Sequence, residues 1–284
     1  MDSERAVVAV FHPGEMGAVV GRCLVEAGHV VLWASDGRGA ETAARAEAAG
    51  LEDAVTISAA AARADVVLSI CPPHAVLDVA RAAVGFAGVY LDANAISPRT
   101  AASVAEVVTG GGATYVDGGI IGPPPSQAGT TRLYLSGAAA EDARALFAGT
   151  PLDARVVPAG PFSASAVKMA FAAWTKGSIA LLLASRALAE AEGISGELLG
   201  EWALSQPALA DRLRYGAQST SAKGWRWVAE MEEIAATMAE ADLPDGFFEA
   251  AAEIFRRTPA MRPAPSGDAA VTAVLSAITS PAAD

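Results

Sequence analysis

Cysteine, histidine and positive charge are all scarce in this chain. The two cysteines, Cys23 and Cys71, make no disulfide framework and lack the paired spacing of a metal site. The three histidines, His12, His29 and His74, are scattered, without the close helical spacing of a zinc motif, so no metal is expected. Lys and Arg number 20 against 32 Asp and Glu, a net charge of −12. That deficit argues against nucleic acid or an anionic membrane surface as a partner. It leaves room for a small anionic ligand in a local basic pocket. Charged residues make up 18% and apolar residues 52%, with abundant alanine, so a packed, helix-rich globular chain is expected rather than disorder. The length of 284 residues accommodates one large or two modest domains.

No membrane anchor or leader is expected. The most apolar helical stretch, 164–191, is interrupted by Lys168, Lys176 and Arg186. The first strand begins by about Arg5, which leaves no room for a signal peptide. The expectation is a soluble, cytoplasmic protein.

The first half alternates two textures. Short apolar runs of strand length lie at 7–11, 30–33, 66–70 and 89–91, with alanine-rich helical stretches at 17–27, 41–49, 75–83 and 98–108 between them. Continuous apolar strands with intervening helices predict a parallel sheet covered on both faces, an α/β Rossmann-type doubly wound domain. Strand-like runs at 114–117 and 131–136 extend it. Past the punctuation Val157-Pro158-Ala159-Gly160-Pro161 the pattern is helical, from about 163 to 257, with breaks near 193–196, 205–207 and 242–246. A tail from Pro259, rich in small residues, ends in a short helix over 268–278. The expected division is a nucleotide-binding domain, 1–162, and an all-α substrate and dimerisation domain, 163–284. The long helix over 165–192 would reach about 40 Å at 1.5 Å per residue. One small domain cannot cover that length, so a homodimer is expected.

The most telling segment joins the first strand to its helix. The run Ala6-Val7-Val8-Ala9-Val10-Phe11 meets His12-Pro13-Gly14-Glu15-Met16-Gly17, and a helix follows. A dinucleotide-binding βαβ unit opens this way: Gly14 lets backbone approach a pyrophosphate, Gly17 lets the helix pack on the strand, and the helix N-terminus faces the phosphates. His12 stands where the first glycine of the motif is expected. At the end of the second strand, Ser35 and Arg38 fit a 2′-phosphate, whereas Asp36 fits a free ribose 2′-hydroxyl. The balance favours NADP, with NAD the alternative. Ligands of open α/β sheets lie beyond the carboxyl ends of strands, so Cys71, Pro72, Pro73 and Asn94 are expected to wall the cofactor. His74 reads equally as a surface histidine or a catalytic one. Lys168 lies one to two turns into the first helix of the second half, facing the cleft between the halves. Its apolar neighbours Val167, Met169 and Phe171 desolvate it, which suits proton transfer. Thr175 shares its face, and Lys176, about 80° around, reaches the edge of that cleft.

Together these features resemble the β-hydroxyacid dehydrogenase superfamily, which includes 6-phosphogluconate and 3-hydroxyisobutyrate dehydrogenases. The elements of the likeness are the turn 12–17, Gly28-His29, the segment from Asp92 to Pro98, Asp117-Gly118-Gly119-Ile120-Ile121-Gly122, and Gly160 followed by Lys168. The resemblance implies Lys168 as general acid/base, and Gly119, Ile120, Ile121 and Gly122 at the substrate with Thr175. The chain departs from the family where Phe171 and Ala172 replace asparagines and where Ile121-Gly122-Pro123 replaces a Ser-Gly-Gly loop. It looks like a less-characterised branch with a distinct, short helical C-terminal domain, in which Lys176 partners Lys168. The implied function is hydride transfer between NADP and a hydroxyl or carbonyl substrate. Imine reductases resemble the same fold but usually lack this lysine. Imine reduction is therefore the alternative chemistry, and a non-catalytic NADP-binding sensor the alternative class. The aromatics Trp174, Trp202, Trp225, Trp227 and Tyr215 are expected mainly in the core. A pocket for a bulky substrate, with Arg212, Arg214 or Arg226 as its anion anchor, is the functional alternative.

Overall fold

A computed structural model of the chain describes residues 5–258 and 260–280. It falls into two compact units, which divide between Met169 and Ala170.

In the first unit, short runs of valine and leucine form strands because branched side chains pack well on a pleated surface. The order is β1 (Val7–Val10), α1 (Glu15–Glu26), β2 (Val30–Trp33), α2 (Ala40–Ala48), β3 (Glu52–Asp53), α3 (Ile57–Arg63), β4 (Val66–Ser69), α4 (Val76–Ala82) and β5 (Val89–Asp92). There follow α5 (Pro98–Gly110), β6 (Thr114–Ile121), β7 (Thr131–Ser136), α6 (Ala140–Ala145) and β8 (Leu152–Val156). Among the described residues the sheet has eight strands in the order β3-β2-β1-β4-β5-β6-β7-β8. Pairing is parallel from β3 through β6, antiparallel between β6 and β7, and parallel again between β7 and β8. This is the doubly wound Rossmann order with an added edge.

Successive side chains of each strand enter opposite cores, as the period of two requires. Val8, Val10, Val31 and Leu68 join one cluster with Leu24 of α1 and Ala46 of α2. Ala9, Leu32, Val67 and Tyr90 join the other with Val79 of α4 and Val104 of α5. Ser97 starts α5 by accepting from the Thr100 amide at 3.2 Å, with Pro98 at the first helical position.

Three short elements and one edge strand were not legible as runs. The strand β3 is two charged residues at the sheet edge. In β8, Asp153 and Arg155 interrupt the apolar run, as suits an exposed edge. The helices α3 and α6 have seven and six residues, too few for a clear period.

The second unit is helical: the rest of α7 (Ser163–Ala191), then α8 (Ser195–Ser205), α9 (Leu209–Glu240), α10 (Gly246–Arg256) and α11 (Gly267–Thr279). The breaks fall where expected, Gly193 taking φ +71° between α7 and α8. Residue 259, where the small-residue tail was read to begin, lies outside the described residues. By length and composition α7 is apolar enough to cross a membrane. Here Leu183 and Ala187 pack in one core with Leu213 and Ala217 of α9 and Ala270 and Val274 of α11.

The aromatics depart from the core expectation. Trp227 is buried, edge-on to Phe255 with centroids 5.1 Å apart, but Trp174, Tyr215 and Trp225 are exposed. The inward stripe of α9 runs through Leu213, Gly216, Ala217, Thr220, Gly224, Trp227 and Met231. Tyr215 and Trp225 fall between its members.

Candidate dinucleotide and proton-transfer site

The glycine turn is built as a strand-to-helix junction. A Cβ on Gly17 would lie 2.5 Å from the His12 carbonyl oxygen, so only glycine lets α1 begin this close to the end of β1. At Gly14, the residue preceding α1, a Cβ would meet nothing within 4 Å. Gly14 at the N-cap makes no side-chain cap, and a helix N-terminus is a ready site for an anion. Arg38 returns from the loop after β2 and places Nη2 2.6 Å from His12 Nε2. Burial, then the Arg38 charge, pushes His12 down to about 4, so the imidazole is neutral. His12 Nδ1 and Arg38 Nε are both buried without a partner among the described residues. The helix N-terminus, the open space beside Gly14 and these two buried nitrogens fit an anionic dinucleotide. Ser35 is half-buried in the same loop, and Asp36 is exposed at its turn.

Beyond β4 and β5 a buried polar shelf supports the wall that was expected there. Asn94 accepts from the Cys71 amide at 2.5 Å and donates to Ser69 Oγ at 3.0 Å and Asp92 Oδ1 at 2.5 Å. It therefore fixes the Cys71-Pro72-Pro73 corner from below. Burial, then the Asp92 charge, pushes the Cys71 thiol up to about 12, which keeps it protonated near neutral pH. His74 is exposed, in the 3-10 turn that Pro73 opens, which fits its surface reading.

Two buried carboxylates escaped notice from the sequence as a pair. Asp92 and Asp117 are register partners on β5 and β6, so their side chains lie side by side. Burial, with the neighbouring Asp117 charge adding to it, pushes Asp92 up to about 7 despite its Asn94 and Tyr115 donors. Asp117 accepts from the Ser165 amide at 2.8 Å, Ser165 Oγ at 2.5 Å and Ser136 Oγ at 2.9 Å. It thereby holds the first turn of α7 to the sheet. A readable signal existed: each aspartate ends an apolar strand run where a core residue belongs.

One turn beyond Ser165, Lys168 donates from Nζ to the Ile120 carbonyl at 2.9 Å. Burial pushes its ammonium down to about 8. Gly119 permits this approach, because a Cβ there would lie 2.8 Å from the Ala164 oxygen and 2.9 Å from Lys168 Cβ. Gly119, Ile120 and Ile121, expected at the substrate, have little exposed side chain to offer one. Gly119 is covered by α7, and Ile120 and Ile121 are 7% and 4% exposed. The Ile120 carbonyl is the group this strand presents. Gly122 turns the chain at φ +128°, where a Cβ would strike the Thr130 oxygen.

Lys176 belongs to the second unit, where its ammonium pairs with Glu230 and lies 5.7 Å over the Trp227 ring. Thr175 Oγ1 donates to the Phe171 carbonyl of its own helix at 3.0 Å. A groove of about 620 Å³ in the same unit is lined by Trp174, Trp202, Phe247 and Arg212, among others. Arg214 pairs with Asp211 and Asp268, and Arg226 lies 5.1 Å over Trp225. Among the described residues no group of three His, Cys, Asp or Glu side chains is placed to hold a metal.

No curated protein matches the chain in sequence. A family described as a domain of unknown function, DUF1932, matches residues 189–258, from the end of α7 through α10. Solved structures match almost the whole chain. A conserved hypothetical protein from Sinorhizobium meliloti 1021 is 24% identical over 97% of this chain and 98% of that one, with a TM-score of 0.70. The 3-hydroxyisobutyrate dehydrogenase of Mycobacterium tuberculosis is 20% identical over 97% and 100%, with a TM-score of 0.67. A reductive aminase from Aspergillus terreus, solved with NADPH, is 21% identical over 95% and 98%, with a TM-score of 0.56. The fold is thus a Rossmann-type domain followed by an all-α unit, shared with dehydrogenases and reductive aminases. The segment that matches DUF1932 lies in the helical part of this fold.

Proposed function

We propose that this chain is an NADP-dependent oxidoreductase acting on a hydroxyl or carbonyl group, with Lys168 as general acid/base. The observation that carries the reading is the desolvated Lys168 ammonium, set on the Ile120 carbonyl near the carboxyl end of β6. Open α/β sheets bind ligands at that end of their strands. With a value of about 8, Lys168 has both forms in reach near neutral pH. The neutral amine takes the proton from an alcohol oxygen, and the ammonium returns it to a carbonyl oxygen.

The glycine turn 12–17 would hold the pyrophosphate and Ser35 and Arg38 the 2′-phosphate, with the Cys71-Pro72-Pro73 corner and Asn94 as the far wall. A bound nicotinamide supplies or accepts the hydride. Arg38 supports NADP over NAD, since it reaches the turn while Asp36 faces solvent. The lysine favours carbonyl chemistry over imine reduction. We also propose a soluble, cytoplasmic homodimer. Phe171, Trp174, Leu181 and Leu188 of α7 are 45%, 69%, 53% and 62% exposed, an apolar face suited to a second copy.

The test is a titration with NADPH and NADH followed by a screen of hydroxyl and carbonyl substrates. Tighter NADPH binding, weakened by Arg38→Ala, and turnover abolished by Lys168→Ala are expected. NADPH binding without turnover on a broad panel favours a sensor. Binding of neither nucleotide sinks the oxidoreductase reading.

A further inference from the structure

We infer that His12 is a specificity-determining residue: it replaces a glycine in the turn so as to hold the Arg38 guanidinium for the 2′-phosphate of NADP. This rests on the dinucleotide reading above.

A guanidinium has no acceptor, so in the 2.6 Å contact Arg38 Nη2 donates and His12 Nε2 accepts. That assigns the imidazole proton to Nδ1. The ring stays an acceptor at neutral pH because it is held neutral there. The pair is then left with two buried donors lacking partners, His12 Nδ1–H and Arg38 Nε–H. Buried donors are rarely left so. One on the guanidinium and one on the imidazole bonded to it call for an acceptor-rich anion.

The loop is built to bring Arg38 there. Gly37 takes φ +70° and the Arg38 amide donates to Ser35 O at 3.0 Å, which reverses the chain after β2. The end of β2 is where a Rossmann domain meets the adenosine ribose, so the anion in reach of Arg38 is a ribose phosphate. With glycine at position 12 the guanidinium would lose the His12 acceptor and the ordering that comes with it. A free 2′-hydroxyl gains little from an oriented guanidinium, and a phosphate monoester gains much.

The experiment measures Kd for NADPH, NADH and adenosine 2′,5′-bisphosphate with wild type, His12→Gly, His12→Gln and Arg38→Ala. Thermal midpoints of each variant check folding, and His12→Ala replaces the glycine variant if that one fails to fold. Expected for His12→Gly is a roughly tenfold or greater loss for NADPH and the bisphosphate, with NADH nearly unchanged. His12→Gln, which keeps an acceptor, should recover most of the loss. Equal losses for NADPH and NADH would move His12 to the pyrophosphate and overturn the inference. An unchanged NADPH/NADH ratio overturns it too, while a wild-type NADPH preference leaves the dinucleotide reading standing. A wild type that prefers NADH overturns the inference and leaves the dinucleotide reading standing, and one that binds neither nucleotide removes both.

Discussion

Asp117 on β6 takes both hydrogens that Ser165 offers, the amide at 2.8 Å and the hydroxyl at 2.5 Å. Ser136 links the same carboxylate to the helix, since its Oγ donates to Asp117 and accepts from the Ala164 amide at 3.0 Å. The first turn of α7 is thus pinned to the sheet. The helix start accordingly belongs to the first compact unit, which runs to Met169. Asp117→Asn puts an amide NH₂ where two donors already converge. A loss of about 1–3 kcal/mol is expected in urea unfolding. The Lys168 reactivity profile should shift upward as the helix start loosens. Ser165→Ala should do the same more weakly. Unchanged reactivity in both variants would separate the clamp from Lys168.

Gly119 is the other half of that placement. An alanine there must displace the Ala164 carbonyl or the Lys168 stem, both within 2.9 Å of the added carbon. Gly119→Ala is expected to cost about 1–3 kcal/mol by overpacking. Turnover should fall further than NADPH affinity, because the glycine turn lies on another strand. Equal falls in both would show a general loss of the fold.

The Lys168 ammonium titrates at about 8 in the folded chain, against an ordinary value of 10.5. In oxidation the rate should rise with pH through about 8 and level off, and in reduction it should fall across the same range. Lys168→Ala should lose roughly 10²–10⁴-fold in turnover, together with that break. The stability sign follows from linkage. Between about 8 and 10.5 the unfolded chain binds the proton and the folded chain does not, so stability rises with pH there. Lys168→Met should therefore stabilise the protein most near pH 7, by at most about 3 kcal/mol. The advantage should vanish above about pH 10.5, and a pH-independent difference would sink the assignment.

Local pattern carried most of the fold. Val7 to Val10, Val30 to Trp33 and Val66 to Ser69 read as buried parallel strands because both faces are covered, and that is how they pack. Gly14 and Gly17 read as a strand-to-helix turn because the backbone there has no room or no need for a side chain. Relations across the sheet were not legible. Nothing local says that Asp92 sits beside Asp117, since register alone joins them. Nor does the run at 118–121 show that Gly119 faces a helix and not a substrate. In the sequence His12 is a departure from a glycine motif, and only the fold sets it against Arg38, 26 positions on.

Lys176 gives the sharpest contrast with Lys168, because the two were read together and have different surroundings. Its ammonium pairs with Glu230, 54 positions away, and both side chains are largely buried, 16% and 13% exposed. A buried pair is weak evidence of stability as a pair, but breaking one side leaves an unpaired charge. Lys176→Met and Glu230→Leu are each expected to cost about 3–5 kcal/mol. The double variant should recover most of that, giving a large coupling in a double-mutant cycle. If Lys176 only packs α7 on α9, the double variant keeps turnover close to wild type while Lys168→Ala does not. Loss of turnover in a well-folded double variant would instead return Lys176 to the proton path beside Lys168.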